Sequence, residues 1–458
     1  MHRPALATRF LAAVFILSCS HAGATTLAGW SQYGENGAVE ARLVTDEPAC
    51  PDLIADGKSQ PMTERAPPSQ AFPIRVCIAV IPAGARHISA GGLGLPIPNA
   101  HPRHIVLFGD TGCRLKGTIV QDCNDETQWP FRDVAEHAAR GKPDLMIHVG
   151  DYVYRESPCQ PGDSRCAGTP WGDNWSTWNA DFFTPAAKLL SSTVWLMARG
   201  NHEDCGRAGI GWNTLLGHDP MSPSCNPHAS PLLLDLAGVK LALLDDNNAA
   251  EKQVDPVVVE ALKRDIAMAM AAKADWLVTH HPFRGISKAD KSAGGKIMEG
   301  ANANLLAALA GTDEAPLTLM LAGHIHNFQI TNYAGTAAPQ LVVGEGGDAL
   351  DSEVPALLTG LVTGGQTVTQ GLSQSGFGYV VIDRVGAAQD WKITVHAADG
   401  AVLRHCRLEA RRLGCAPELA LGQTRTRHSA LRAHEQVSTA GSQPQESDNH
   451  RSSLQTPQ

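Results

Sequence analysis

Positive charge is scarce in this chain. Its 37 Lys and Arg against 46 Asp and Glu leave a formal charge of −9 over 458 residues. That balance excludes the broad cationic footprint of a nucleic-acid binder. An anionic ligand needs a local charge instead, such as a metal ion. Long hydrophobic runs are missing too. "FLAAVFILS" (Phe10 to Ser18) falls far short of the ~20 residues of a spanning helix, and no other segment is apolar enough to cross a membrane. Internal repeats are not evident, which excludes a solenoid array. Tyrosine is rare, with 5 in the chain. A stretch such as "GDYVY" (150–154), with a phenol three residues after a carboxylate, therefore stands out.

What is present at the N-terminus has the form of an export signal. Arg3 and Arg9 flank the short apolar core, and "AGA" (22–24) is a small-residue cleavage site, so cleavage is expected after Ala24. Lipid anchoring at Cys19 is the competing route, with Leu17 a poor fit for it. The mature chain would then be periplasmic or secreted. Ten of the 11 Cys lie beyond this signal, and an even number in an exported chain points to disulfides. Sequence does not fix pairing. The local spacings favour 113–123, 159–166, 205–225 and 406–415, leaving 50–77.

Residues 25–100 are rich in Pro and Gly, with two strand-like runs, "AVEARLV" (38–44) and "IRVCIAVI" (74–81), and read as a β-rich N-terminal region. Residues 417–458 turn to Gln, Ser, Thr, Arg and His and read as a disordered polar tail. Between them short apolar runs recur: "HIVLFGD", "DLMIHVGD", "VWLMARGN", "LALLDDN", "WLVTHHP" and "LTLMLAGH". They read as buried strands. Helical stretches separate some of them, including 255–274, where Asp255 is an N-cap with Pro256 at the first helical position. This predicts a layered α/β domain. Later runs, "QLVVGEG", "YVVIDR" and "WKITVHAA", lack intervening helices and predict a second, more antiparallel sheet facing the first.

The strand ends carry oxygen and imidazole donors. Asp110 ends the first run and Asp151 the second; Asn201 and His202 follow the third. His280 and His281 end "WLVTHHP", and His324 and His326 end "LTLMLAGH". Carboxyl ends of strands are where open α/β sheets bind ligands. Singly, an Asp or Asn after a strand is a turn residue and a His is a satisfied one. Together they fit a two-metal site, in which a carboxylate such as Asp151 can bridge.

The ordered motifs "GDTG" (109–112), "GDYVY" (150–154), "GNHED" (200–204), "THHP" (279–282) and "GHIH" (323–326) resemble the calcineurin-like metallophosphoesterases, over residues 102–400. The resemblance implies a four-layer αββα sandwich around a dinuclear centre, preceded here by the small β-rich extension. Most of that superfamily begins with Asp-x-His. Here the third position is Gly112, so a ligand is missing. Purple acid phosphatases meet the same absence with a tyrosinate from Gly-Asp-x-x-Tyr, which "GDYVY" matches at Tyr154; Tyr152 is the local competitor. Carried over, Asp110, Tyr154 and His326 hold a ferric ion and Asp151 bridges. Asn201, His280 and His324 hold a divalent Fe, Zn or Mn. His280 is favoured over His281 because the family's ligand lies two residues before Pro, here Pro282. His202 would contact phosphate or protonate the leaving group, with Glu203 or Asp204 orienting it, and His281 would face the substrate or serve structure.

The function this implies is hydrolysis of a small phosphomonoester by a metal-bound hydroxide. A phosphodiesterase or nucleotide hydrolase on the same site is the near alternative, with the inserts 113–130 and 155–180 shaping the pocket. The three indoles of "WGDNWSTW" (171–178) would then stack on a base or sugar, or simply pack. A non-catalytic metal- or phosphate-binding protein is the alternative from another class. The stretch "CGRAGIGW" (205–212) takes no role in this scheme, and oligomeric state is open.

Overall fold

The chain is described by a computed structural model that covers residues 25–222, 224–290, 296–386 and 389–416. The segments read from sequence as an export signal (1–24) and a polar tail (417–458) lie outside the described residues.

The apolar runs become strands because both their faces are covered. His104–Phe108, Leu145–His148 and Val194–Met197 pair in parallel, with Leu145 opposite Ile105 on one side and Val194 on the other. They are the middle of an eleven-stranded sheet ordered Arg412–Cys415, Val402–Glu409, Asp390–Ala397, Gly378–Val385, His104–Phe108, Leu145–His148, Val194–Met197, Thr26–Tyr33, Val39–Thr45, Arg75–Val80, Thr63–Ala66. A second sheet of eight strands has Lys240–Leu243, Trp276–Val278, Leu319–Ala322 and Gln340–Val343 side by side and parallel.

Alternate residues of each strand define three apolar layers. Ile105, Leu107, Ile147 and Leu196 meet Leu241, Val278, Leu321 and Val343 between the sheets. Trp276 and Trp391, one from each sheet, lie 5.0 Å apart across this layer. Val106, Phe108, Met146 and Trp195 face outward, under the helices Phe131–Arg140 and Thr184–Leu190. Ala242, Leu277 and Met320 face out on the other side, under Pro256–Ala271 and Ala303–Leu309. The order is helix, sheet, sheet, helix, as expected. The Asp255 side chain caps the helix Pro256–Ala271 by accepting from Val257 N at 2.8 Å.

One assignment of strands to sheets differs from expectation. "YVVIDR" and "WKITVHAA" are antiparallel, but they extend the first sheet through Gly378–Val385 beside His104–Phe108. "QLVV" joins the second sheet, parallel to Leu319–Ala322. Val380 and Ile382 are apolar on the inter-sheet face, while Tyr379 and Val381 serve the helix-covered face. A strand apolar on both faces fits either sheet, so its pattern does not say which.

The N-terminal β-rich stretch is continuous with the first sheet, since Thr26–Tyr33 pairs in parallel with Val194–Met197. A separate four-stranded sheet (Lys58–Pro61, Asp52–Ala55, Ile88–Ala90, Leu93–Leu95) packs beside it with its own small core. Five disulfides join the described residues in the pairs favoured by spacing: 50–77, 113–123, 159–166, 205–225 and 406–415.

Candidate metal centre

The parallel strands of both sheets end at one edge, and the chain turns sharply there. Asp110, Asp151 and His324 have φ of 58°, 61° and 68°. Left-handed backbone is uncommon for residues with a Cβ and is stored where a site demands it, at roughly 1–3 kcal/mol each. Glycines let the turns approach one another. A Cβ on Gly200 would sit 2.0 Å from Asp151 Oδ1. A Cβ on Gly112 would meet Tyr152 O at 2.6 Å and Tyr154 N at 2.8 Å. The position where most of the superfamily has its histidine is thus the one where this backbone needs room for the tyrosine loop.

All seven expected ligands converge, in two groups about Asp151. Tyr154 Oη donates to Asp151 Oδ2 at 2.7 Å, and lies 3.1 Å from both Asp110 Oδ1 and His326 Nε2. His326 Nε2 is 3.3 Å from Asp110 Oδ1. On the other side His280 Nε2 is 3.2 Å from Asp151 Oδ2 and 3.0 Å from Asn201 Oδ1, which in turn is 3.1 Å from His324 Nδ1. Donor atoms of Asp151, His280 and His324 all lie within 4.8 Å of one another. Tyr152, the local competitor, points away: its hydroxyl donates to Ala198 O at 2.9 Å and its ring stacks on His148.

The electrostatics fit cations at this place. Burial opposes charge on His280, yet Asp151, Asp110 and Asp246 push it up to about 10. Burial likewise opposes charge on His326, while Asp348 and Asp110 push it up to about 9. Burial and then Asp151, Asp110 and Asp348 push the Tyr154 phenol well up, so only a strong local cation would ionise it. A carboxylate-rich cluster that holds protons on its imidazoles has the donor chemistry with which metal ions could replace those protons.

A further shell orients these groups. His280 Nδ1 lies 2.9 Å from Val149 O, His326 Nδ1 2.8 Å from Ala349 O, and His324 Nε2 2.9 Å from Glu251 Oε1. Asp246 accepts from His280 N and His281 N, both at 2.8 Å. His281 turns its Nδ1 to the same carboxylate at 2.9 Å and packs against His324, so it does not line the cavity.

His202 does line it, with its backbone N–H donating to Asp151 Oδ1 at 2.9 Å. Its orienting carboxylate is not the expected one. Glu203 is fully buried and accepts from Tyr152 N, Val153 N and Gly200 N at 2.9, 3.1 and 3.2 Å. It braces the tyrosine loop, and burial followed by Asp151 pushes it up to about 8. Asp204 accepts from Gly206 N. The carboxylate beside His202 Nδ1 is Glu156, at 2.8 Å, within ion-pair distance though off a good hydrogen-bond line. Sequence reasoning missed Glu156, Asp246, Asp348, Glu251 and Arg114. Asp246 ends a strand already recognised, and Glu156 lies two residues past Tyr154, so both carried a signal. Asp348 and Arg114, joined by a part-buried ion pair through Nε and a terminal guanidinium nitrogen, meet only through the fold.

The cavity over these groups has a volume of about 470 Å³. The indole stretch does not reach it. Trp178 is buried, Trp175 packs against the same core, and Trp171 lies on the surface.

Four layers, strand-end donors and a cavity above them define a metallophosphoesterase fold. Residues 103–328 match the model of the calcineurin-like phosphoesterases, and the domain they build belongs to that family. Among solved structures, the purple acid phosphatase PPD1 from yellow lupin (Lupinus luteus) seeds superposes with a TM-score of 0.52 at 14% identity, over 82% of this chain and 73% of that one. PhoD superposes equally well, TM-score 0.52 at 10% identity, over 86% of this chain and 92% of that one. At these identities the likeness is one of fold. No curated protein matches the sequence.

Proposed function

We propose that the protein is an exported phosphoesterase that holds two metal ions and hydrolyses phosphomonoesters in the manner of purple acid phosphatases. The observation that carries this reading is the Tyr154 hydroxyl, within 3.1 Å of Asp110, Asp151 and His326. Asp110, Tyr154 and His326 would hold a ferric ion. Asn201, His280 and His324 would hold a divalent Fe, Zn or Mn, with Asp151 shared. Such a pair supplies positive charge to the phosphate oxygens and acidifies water.

The chain's own groups do the rest. A water oxygen forms the new bond to phosphorus, the ester P–O bond breaks, and His202 hands a proton to the departing alkoxide. Glu156 fixes the imidazole for that transfer. Glu203 and Asp246 hold the two ligand-bearing turns. Five disulfides and the N-terminal signal in the sequence support export. A diester on the same site is the second reading, supported by a cavity of about 470 Å³, wider than one phosphate requires.

The deciding experiment is the visible spectrum of the oxidised protein beside Tyr154→Phe, with metals quantified in both. The expected result is a violet charge-transfer band and iron in the wild type, with the band lost in the variant. A colourless wild type loaded with zinc or manganese would remove the tyrosinate from the proposal. Hydrolysis of p-nitrophenyl phosphate against a bis-ester, at mildly acidic pH, separates mono- from diesterase. No turnover of either would sink the enzyme reading.

A further inference from the structure

Three cations, Arg114, Lys116 and Arg207, line the cavity together with Glu251 and Asp351. The cations are neighbours: Arg114 immediately precedes the hairpin strand that carries Lys116, and Lys116 and Arg207 both approach Glu156. In a chain of net −9 this gathering of three cations is local. Each is held from behind. Arg114 Nε is 2.9 Å from Asp348 Oδ2, and its guanidinium lies over the Tyr154 ring. Lys116 Nζ is 3.0 Å from Glu156 Oε2. Arg207 donates to Asn201 O at 3.4 Å and lies 3.7 Å from both Glu156 and Asp204, so it makes no hydrogen bond to either carboxylate. None of these three carboxylates lines the main cavity, whereas the three cations do; Glu156 lines the smaller hollow beside it. The side chains of Lys116 and Arg207 are 46% and 31% exposed.

The two segments that deliver these residues are otherwise unexplained. Arg114 and Lys116 sit on the insert closed by Cys113–Cys123, folded as the hairpin Leu115–Lys116 with Ile119–Val120. Arg207 belongs to "CGRAGIGW", anchored by Cys205–Cys225. A crosslinked loop holds its charges in place before a ligand arrives, which lowers the ordering cost of binding. A second hollow of about 230 Å³ lies beside the main cavity and shares His202 and Arg207 with it.

We propose that Arg114, Lys116 and Arg207 form a subsite for a second phosphate, and that the preferred substrates carry two or more phosphate groups close together. This rests on the phosphoesterase reading and narrows its substrate class. The cations would bind the non-scissile phosphate by charge-assisted hydrogen bonds.

The test compares kcat/KM for a nucleoside 5′-diphosphate and its monophosphate, in the wild type and in Lys116→Gln/Arg207→Gln, with p-nitrophenyl phosphate as a common reference. The expected wild-type preference is at least about tenfold for the diphosphate, falling about tenfold in the variant and falling with added salt. Arg114 is left intact because it also packs on Tyr154. An equal ratio in both enzymes, or a wild-type preference for the monophosphate, would overturn the subsite while turnover of p-nitrophenyl phosphate left the enzyme reading standing. Matched thermal unfolding of wild type and variant excludes misfolding as the cause.

Discussion

Gly112 and Tyr154 are two halves of one solution. The backbone of the tyrosine loop passes so near residue 112 that a Cβ would meet Tyr152 O and Tyr154 N below 3 Å. A histidine at 112 and a phenol from residue 154 therefore compete for the same space. Gly112→Ala should lose about 1–3 kcal/mol, the range for overpacking a tight site. It should also purify with less bound metal than the wild type, because the loop that moves carries Asp151 and Tyr154. Denaturant titration and metal analysis check both parts. Normal stability and full metal content would mean the loop shifts at no cost.

At the scale of elements, strand ends supply ligands and stapled loops supply the cavity side. The hairpin insert of residues 113–123 has only two short paired segments, too little to hold itself. Its disulfide closes a short loop, and such a crosslink contributes roughly 2–4 kcal/mol through the unfolded chain. Cys113→Ser/Cys123→Ser should therefore lower the unfolding free energy by an amount in that range, seen as a lower denaturant midpoint. The slope of the transition should change as well, because the unfolded state becomes less compact. An unchanged midpoint would show that the Arg114–Asp348 pair and its surroundings hold the insert without the crosslink.

The whole molecule is two sheets closed on one apolar layer, and Glu345 sits where they meet. It follows Gln340–Val343 of one sheet, and its backbone oxygen accepts from Gly378 N of the other at 3.0 Å. Its carboxyl is 1% exposed and has no hydrogen-bond partner among the described residues. Burial, with Asp110 adding to it, pushes it up to about 8. A carboxyl raised above its unfolded value keeps a proton in the native state that the unfolded chain has released. Stability from this group is therefore full below about pH 4.5 and declines as pH rises towards 8, at about 1.4 kcal/mol per unit. Glu345→Gln should match the wild type near pH 4 and exceed it increasingly up to pH 8, in unfolding measured across that range. Parallel curves at all pH values would mean the carboxyl ionises in place.

The sequence by itself determined the layer order, the helix start at Asp255 and the residues gathered at the strand ends, and its spacings favoured the disulfide pairs without fixing them. These are local properties: short apolar runs, a cap beside a proline, close cysteines, and motifs that place a donor one or two residues after a strand. Only the tertiary structure decided which sheet takes Gly378–Val385, since a strand apolar on both faces fits either. It alone gave His202 the Glu156 carboxylate instead of Glu203, because that choice depends on where two turns cross in space. The same holds for Asp348 with Arg114, 234 residues apart, and for the three cations that line the cavity. Contacts between distant segments are set by how the sheets and loops pack, and no spacing along the chain encodes them.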